Sequence, residues 1–163
     1  IGFVGSVKHT PNKKALDYLL LQILPALQKK QIDRKVLVLG KNNHLFYQNL
    51  ANVEFIDYVD DLRNFYAEID LLVAPIFAGS GTRLKVLESL SYGRPVITTE
   101  IGAEGIEIES KLLSIVPKEV QFDLQVWVQQ ISVNNKQELS ESDFSNLKNQ
   151  LSDLTWNKIF AQK

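Results

Sequence analysis

Cysteine is absent from the 163 residues, which excludes a disulfide scaffold, thiol catalysis and the usual structural zinc sites. Its absence leaves the compartment open, with a lean to the cytosol. Net charge is nearly absent too, since 18 Lys and Arg stand against 19 Asp and Glu, leaving −1. No bulk field exists to recruit nucleic acid or an anionic membrane, so any anion site has to be built locally. Long hydrophobic runs are missing. The longest, LLLQIL at 19–24 and LLVAPIF at 71–77, fall far short of the ~20 residues of a membrane span, and no stretch reads as a signal peptide. Internal repeats, linkers and low-complexity segments are absent as well.

What is present reads as globular. Apolar residues make up 45% and charged residues 23%, so disorder and fibrous repeats are excluded. The length fits one domain, 1–163. The chain opens on IGFVGS with no initiator Met, inside an apolar strand-like run, and this start reads as a piece cut from a longer protein.

Along the chain, short apolar runs alternate with helical patterns. IGFVG at 1–5, KVLVLG at 35–40, VEFIDYV at 53–59, DLLVAPI at 70–76, PVITTE at 95–100 and KLLSIVP at 111–117 read as strands. Between the first two, Leu16, Leu19, Leu20, Ile23, Leu24 and Leu27 line one face of an amphipathic helix whose last turns Pro25 weakens. Shorter helices are expected at 43–50, at 60–68 behind an aspartate cap and at 82–92 with Gly93 as stop. Strand and helix alternating across short loops predict an α/β fold, a Rossmann-like doubly wound parallel sheet of about six strands with helices on both faces. A helical C-terminal tail follows, with Trp127, Phe144, Leu147, Leu151, Leu154 and Trp156 as packing residues.

Ligands of such sheets bind outside the carboxyl ends of the strands. Two ends stand out, Gly5-Ser6 after the first strand and Phe77 to Thr82 after the fourth. Small residues in the second loop let backbone N–H groups approach a ligand, and the following helix presents unpaired donors. Arg83 and Lys85 lie in the first turn, where the macrodipole disfavours cations unless an anion is beside them. A diphosphate answers that placement, with Arg as a planar fork and Lys as a point charge. Glu88, one turn beyond Lys85, is placed to accept ribose hydroxyls. The plainer alternative is an exposed Lys85–Glu88 pair worth ~0.3 kcal/mol beside a solvated Arg83. Spacing alone leaves both open.

Residues 53–108, VEFIDYVDDLRNFYAEIDLLVAPIFAGSGTRLKVLESLSYGRPVITTEIGAEGIEI, closely resemble the nucleotide-sugar-binding half of GT-B glycosyltransferases. The likeness is to the large retaining family that builds bacterial polysaccharides and lipopolysaccharides, in its subgroup with G-x-G-T-R-L-K-x-L-E. FVGS at 3–6 with Pro11-Asn12 resembles that family's first strand and phosphate loop, and the likeness covers roughly residues 1–116 with a closing helix around Trp156. It implies a donor-binding domain whose N-terminal GT-B partner domain is absent, taking a nucleoside-diphosphate sugar and an acceptor glycan or lipid-linked glycan, without nucleic acid, cofactor or metal. It also implies a cytoplasmic setting, at the inner face of the plasma membrane through the missing domain.

Position by position, Glu88 matches the second glutamate of the family's E-x7-E element, which holds the donor ribose. Ser80 stands where the first glutamate would fall. Backbone groups of Ser80, Gly81 and Thr82 then face sugar and diphosphate, and Val59 matches the segment that meets the base, with Asp57 replacing the usual glycine. The implied donor-binding set is Gly5, Ser6, Val59, Ser80, Gly81, Thr82, Leu84 and Glu88. The basic pair usual after the first strand is missing, and Arg83 and Lys85 supply the compensating charge on the leaving diphosphate. No D-x-D triplet occurs to anchor a metal.

Weaker candidates remain. His9 and Lys8 sit in the loop after the first strand, either near a phosphate or simply exposed, and Glu104 is a candidate to line the cleft. Asp60 and Asp61 read as helix caps, and His44 has no visible carboxylate partner. Two rival functions deserve naming: a non-catalytic nucleotide-sugar-binding module, and an NAD-type dinucleotide domain using Gly79-Ser80-Gly81 with Glu100 as ribose acid. Against the second, the third glycine of the fingerprint is Leu84, and the loop follows the fourth strand. A phosphoacceptor domain fails, because the first strand ends in Gly5-Ser6 and not in acids.

Overall fold

A computed structural model describes residues 1–47, 50–79, 83–134 and 140–160, with side chains to residue 152. The described residues form a six-stranded sheet, every pairing parallel, in the order β3-β2-β1-β4-β5-β6. The strands are β1 Gly2–Val4, β2 Val36–Leu39, β3 Val53–Ile56, β4 Leu72–Ala74, β5 Val96–Thr99 and β6 Leu113–Val116. The chain begins at the centre, winds outward through β2 and β3, then returns to lay β4 beside β1 and winds the other way. The order reverses between β1 and β4, where one residue pair, Gly2 and Leu72, holds the ladder. A crevice therefore opens beyond their carboxyl ends.

The uninterrupted apolar strands follow from cover on both faces. Val36, Val38, Val73 and Ile97 point into one core with Phe3, Leu16, Leu20, Ile23, Leu27 and Trp127. Leu37, Leu39, Leu72 and Val96 point into the other with Phe65, Tyr66, Val86, Leu90, Leu147 and Leu151. Helices α1 Thr10–Tyr18, α2 Leu24–Lys29 and α6 Leu124–Val133 supply the first face, and α3 Leu62–Glu68, α4 Leu84–Ser91 and α7 Glu141–Phe160 the second. Between α1 and α2 the chain stays helical through a π-helical segment, Leu19–Ile23. Leu24 N donates to Leu19 O, five residues back, which widens the turn just where Pro25 has no N–H to give and its ring crowds the carbonyl four residues earlier. The expected weakening at Pro25 thus appears as a change of helix type.

Three boundaries differ from expectation. Of the helix expected at 43–50 the described residues form a single 3₁₀ turn, Asn43–Leu45, with Asn42 at φ 63° before it and the Asn43 side chain drawn inward; residues 48 and 49 lie outside the described residues. The helix expected from Thr82 starts at Leu84 with Arg83 as its N-cap, and it stops as expected, with Gly93 N on Leu90 O and Arg94 N on Ser89 O, both at 2.9 Å. The fifth strand ends at Thr99, whose hydroxyl accepts from Gly102 N at 3.1 Å to cap a short helix, α5 Glu100–Ala103. Glu100, expected as the last residue of the strand, is therefore the first residue of α5, one position past the end of β5. Trp127 is fully buried with its indole N–H on Gln121 O at 2.9 Å, and Leu147 and Leu151 are buried, as expected. The side chains of Leu154 and Trp156 lie outside the described residues.

Candidate active site

The loop after β1 is shaped by two asparagines. Asn43, fully buried, donates to Gly5 O at 2.8 Å and accepts from Val7 N at 3.0 Å. Asn12, in the first turn of α1, donates to Ser6 O at 3.2 Å. Gly5 takes φ +147°, and a Cβ there would press on the Asn12 amide, so glycine is required both for backbone and for space. Ser6 turns its hydroxyl to the local backbone, accepting from Lys8 N at 3.3 Å. His9 precedes α1 as N-cap without capping it by side chain.

After β4 the chain reaches Gly79 at φ +127°. Ser80, Gly81 and Thr82 lie outside the described residues, and the chain resumes at Arg83. The Arg83 side chain is 6% exposed. One terminal nitrogen, Nη2, donates to Gly79 O at 3.0 Å and to Glu104 Oε2 at 2.9 Å. Its buried Nε finds no acceptor among the described residues. A buried guanidinium with an idle N–H carries a desolvation cost that an anion would offset. The sequence argument for Arg83 rested on its place in a helix; its burial strengthens that argument and removes the reading of a solvated surface cation.

Lys85 stands two residues on. Its Nζ donates to Asn12 Oδ1 at 2.7 Å and lies 4.9 Å from the centre of the Phe3 ring. Burial pushes its pKa down to about 8, with Glu88 opposing the shift and Arg83 adding to it. The exposed Lys85–Glu88 pair of the plainer alternative is not formed: Nζ is on Asn12, and Glu88 Oε2 accepts from Tyr66. Instead both cations border a cleft of about 190 Å³ walled by His9, Pro11 and Asn12 from one side and Ala78, Gly79 and Leu84 from the other. That cleft is the crevice at the reversal of strand order, so β1 and β4 loops meet where the topology requires a ligand site. A larger hollow, about 650 Å³, lies over Asp33, Lys35 and Glu54, where Lys35 and Glu54 already pair at 2.5 Å. It gathers no buried unpaired charge among the described residues.

Glu88 is on the neighbouring groove between α4 and α7, about 320 Å³, with Leu87, Lys148 and Leu151. The Tyr66 hydroxyl donates to its Oε2 at 3.3 Å. Burial raises the Glu88 pKa, while Tyr66 and Lys85 pull it back. Leu84 lines both clefts, so carboxylate and cations flank one residue. Val59 packs its side chain against the second core. Asp61 is the expected cap, accepting from Arg63 N at 2.9 Å.

Two relationships went unread in the sequence. His44 does have a carboxylate partner: Asp57 lies 3.1 Å from its Nδ1 and also accepts from Asn42 N at 2.9 Å. The two sit in loops after β2 and β3, and only the parallel register of those strands brings them together. Glu104, a candidate cleft residue, reaches the cleft through Arg83.

A family profile described as glycosyl transferases group 1 matches residues 1–125. The chain belongs to the group 1 glycosyl transferases. No curated protein matches the sequence. Among solved structures it is similar to WaaG, "a glycosyltransferase involved in lipopolysaccharide biosynthesis", at a TM-score of 0.64 and 17% identity, over 98% of this chain and 44% of that one. The sheet is thus that of a GT-B glycosyltransferase domain, and this chain spans less than half of the WaaG chain. Both loops of the cleft fall inside the stretch matched by the glycosyl transferase profile, whereas α7 lies beyond it.

Proposed function

We propose that this glycosyl transferase chain is the donor-binding half of the enzyme, holding a nucleoside-diphosphate sugar with its diphosphate at Arg83 and Lys85. The observation that carries the reading is the buried Arg83, its Nε without an acceptor among the described residues, beside Lys85 at the carboxyl ends of β1 and β4. As the glycosidic bond to phosphate breaks, negative charge gathers on the leaving diphosphate. Fixed cations and helix-start dipoles that need not reorganise stabilise that charge. The two cations carry the positive charge that a divalent ion would otherwise bring, which supports metal-independent transfer. Glu88 takes the ribose hydroxyls, Val59 and its neighbours the base, and Ser80, Gly81 and Thr82 the sugar side of the diphosphate, as the family resemblance assigns them. A hydroxyl of a glycan or lipid-linked glycan, brought by an N-terminal domain closing over the cleft, accepts the sugar with retention of configuration. The lipopolysaccharide context of WaaG favours cell-surface glycan synthesis at the cytoplasmic face of the membrane.

The test is a titration panel of UDP, GDP, ADP and NAD followed by backbone NMR. Shifts at Asn12, Gly79 and Leu84 with UDP or GDP in the micromolar to millimolar range are expected. Silence with every nucleotide overturns the reading, and a preference for NAD replaces it. Retention and metal independence are read on the two-domain enzyme, from the anomeric proton of the product and from activity in excess EDTA.

A further inference from the structure

We infer that Glu104 is an internal anion which occupies the Arg83 fork while the cleft is empty and is displaced when a diphosphate enters; the inference rests on the diphosphate reading above. The pair is unequal in its surroundings. Arg83 is 6% exposed in its side chain and Glu104 72%, so the cation is built into the site and the carboxylate reaches it from solvent. The contact is also incomplete. A carboxylate that satisfied the fork would engage Nε and a terminal nitrogen together. Here Glu104 engages Nη2, at 2.9 Å, a nitrogen it shares with Gly79 O at 3.0 Å, while Nε has no acceptor among the described residues. Two phosphate oxygens can take up what one carboxylate oxygen leaves idle.

The backbone allows the exchange. Glu104 follows α5 in a non-helical conformation, φ −53° and ψ 125°, and its own N–H makes only a long bond to Ile101 O, 3.4 Å. Gly105 follows at φ +77°, a conformation that glycine takes without steric cost. Behind it Gly102 packs against Thr98 and Ile76 and Ala103 is buried, and the Glu104 side chain can turn outward without disturbing either. Charge bookkeeping agrees. With Glu104 in place, the cleft holds two cations against one carboxylate; with it turned away, the two cations face the diphosphate alone.

The experiment is calorimetric titration of the chain and its Glu104→Gln and Arg83→Ala variants with inorganic diphosphate, alongside thermal unfolding without ligand. Gln keeps size and hydrogen-bonding capacity and removes only the competing charge. Glu104→Gln is expected to bind diphosphate about two- to fivefold tighter, with a ligand-free Tm no higher than that of the parent. Equal or weaker binding by Glu104→Gln, with Arg83→Ala losing affinity, overturns the inference and leaves the diphosphate site standing. Undiminished binding by Arg83→Ala, or no binding by any of the three proteins, overturns the site reading and the inference together.

Discussion

The Lys85 ammonium donates to the Asn12 side-chain carbonyl at 2.7 Å across 73 positions of sequence, and this bond ties the helix after β4 to the helix after β1 in the lining of the cleft. Asn12 completes the bridge with its other end, on Ser6 O at 3.2 Å. The β1 loop lacks the basic pair that the resembled family carries there, so on the diphosphate reading proposed above its contribution to an anion is to aim a cation from the helix after β4. Changing Asn12 to Asp places a carboxylate against Lys85 and cancels that charge locally. Diphosphate affinity should fall roughly tenfold or more, as read by calorimetry, while Asn12→Ala should lose less. Parent-like affinity in Asn12→Asp would refute the aiming role.

Lys85 also makes a stability prediction with a definite sign. Its folded-state pKa is lowered from 10.5 to about 8. Below about pH 8 both states hold the proton, and the cost of burying it is carried in full. Between about pH 8 and 10.5 the unfolded chain holds a proton that the folded chain has released, so stability rises with pH across that window. In Lys85→Met, similar in volume and without charge, this rise should be missing, and Tm at pH 7 should be at least that of the parent while diphosphate binding is lost. Thermal unfolding of both proteins from pH 7 to 10 checks it, and parallel curves would deny the shift.

How far the sequence carried this reading depends on the range of each relationship. The parallel, doubly wound class followed from alternation of apolar runs with helices, and the six runs were found because burial on both faces leaves a continuous signal; the strand order itself was read only from the structure. Their ends were overrun by one to three residues: Asp57 to Val59 continue the pattern of β3 after its ladder stops at Ile56. The odd placement of Arg83 and Lys85 at a helix start was legible, since it breaks a local rule. Arg83's burial and its bond to Glu104 were not, because its partner is 21 positions away and arrives through β5. Asn43 shows the same limit. Read as a helix-starting residue, it is a buried clamp on Gly5 and Val7, 38 and 36 positions back.

At Gly40 the loop after β2 lies against the loop after β1. A Cβ there would overlap the Gly5 carbonyl oxygen and crowd the Asn43 amide at 2.6 Å. The first obstacle is backbone and the second a clamp with no room to move, so the neighbours cannot yield cheaply. Gly40→Ala should cost roughly 1–3 kcal/mol in urea unfolding, and should weaken diphosphate binding through the displaced β1 loop. An unchanged urea midpoint would show that the loops do not lock each other.

Glu88 sits on the groove beside the cationic cleft and not within it, so the proposed ribose role can be separated from the proposed phosphate role. Glu88→Ala should weaken UDP or GDP by roughly tenfold and inorganic diphosphate by less than about twofold, and equal losses would reject the ribose role. The Tyr66 hydroxyl gives a finer test. Its bond to Glu88 Oε2 at 3.3 Å favours the ionised carboxylate against a burial that raises the pKa. Tyr66→Phe removes that support, so Glu88 should take up its proton at higher pH than in the parent. Nucleoside diphosphate affinity in Tyr66→Phe should therefore fall away earlier as pH is lowered, while inorganic diphosphate follows the parent profile. A nucleoside profile that coincides with the parent's would mean that Tyr66 does not support the charge on Glu88.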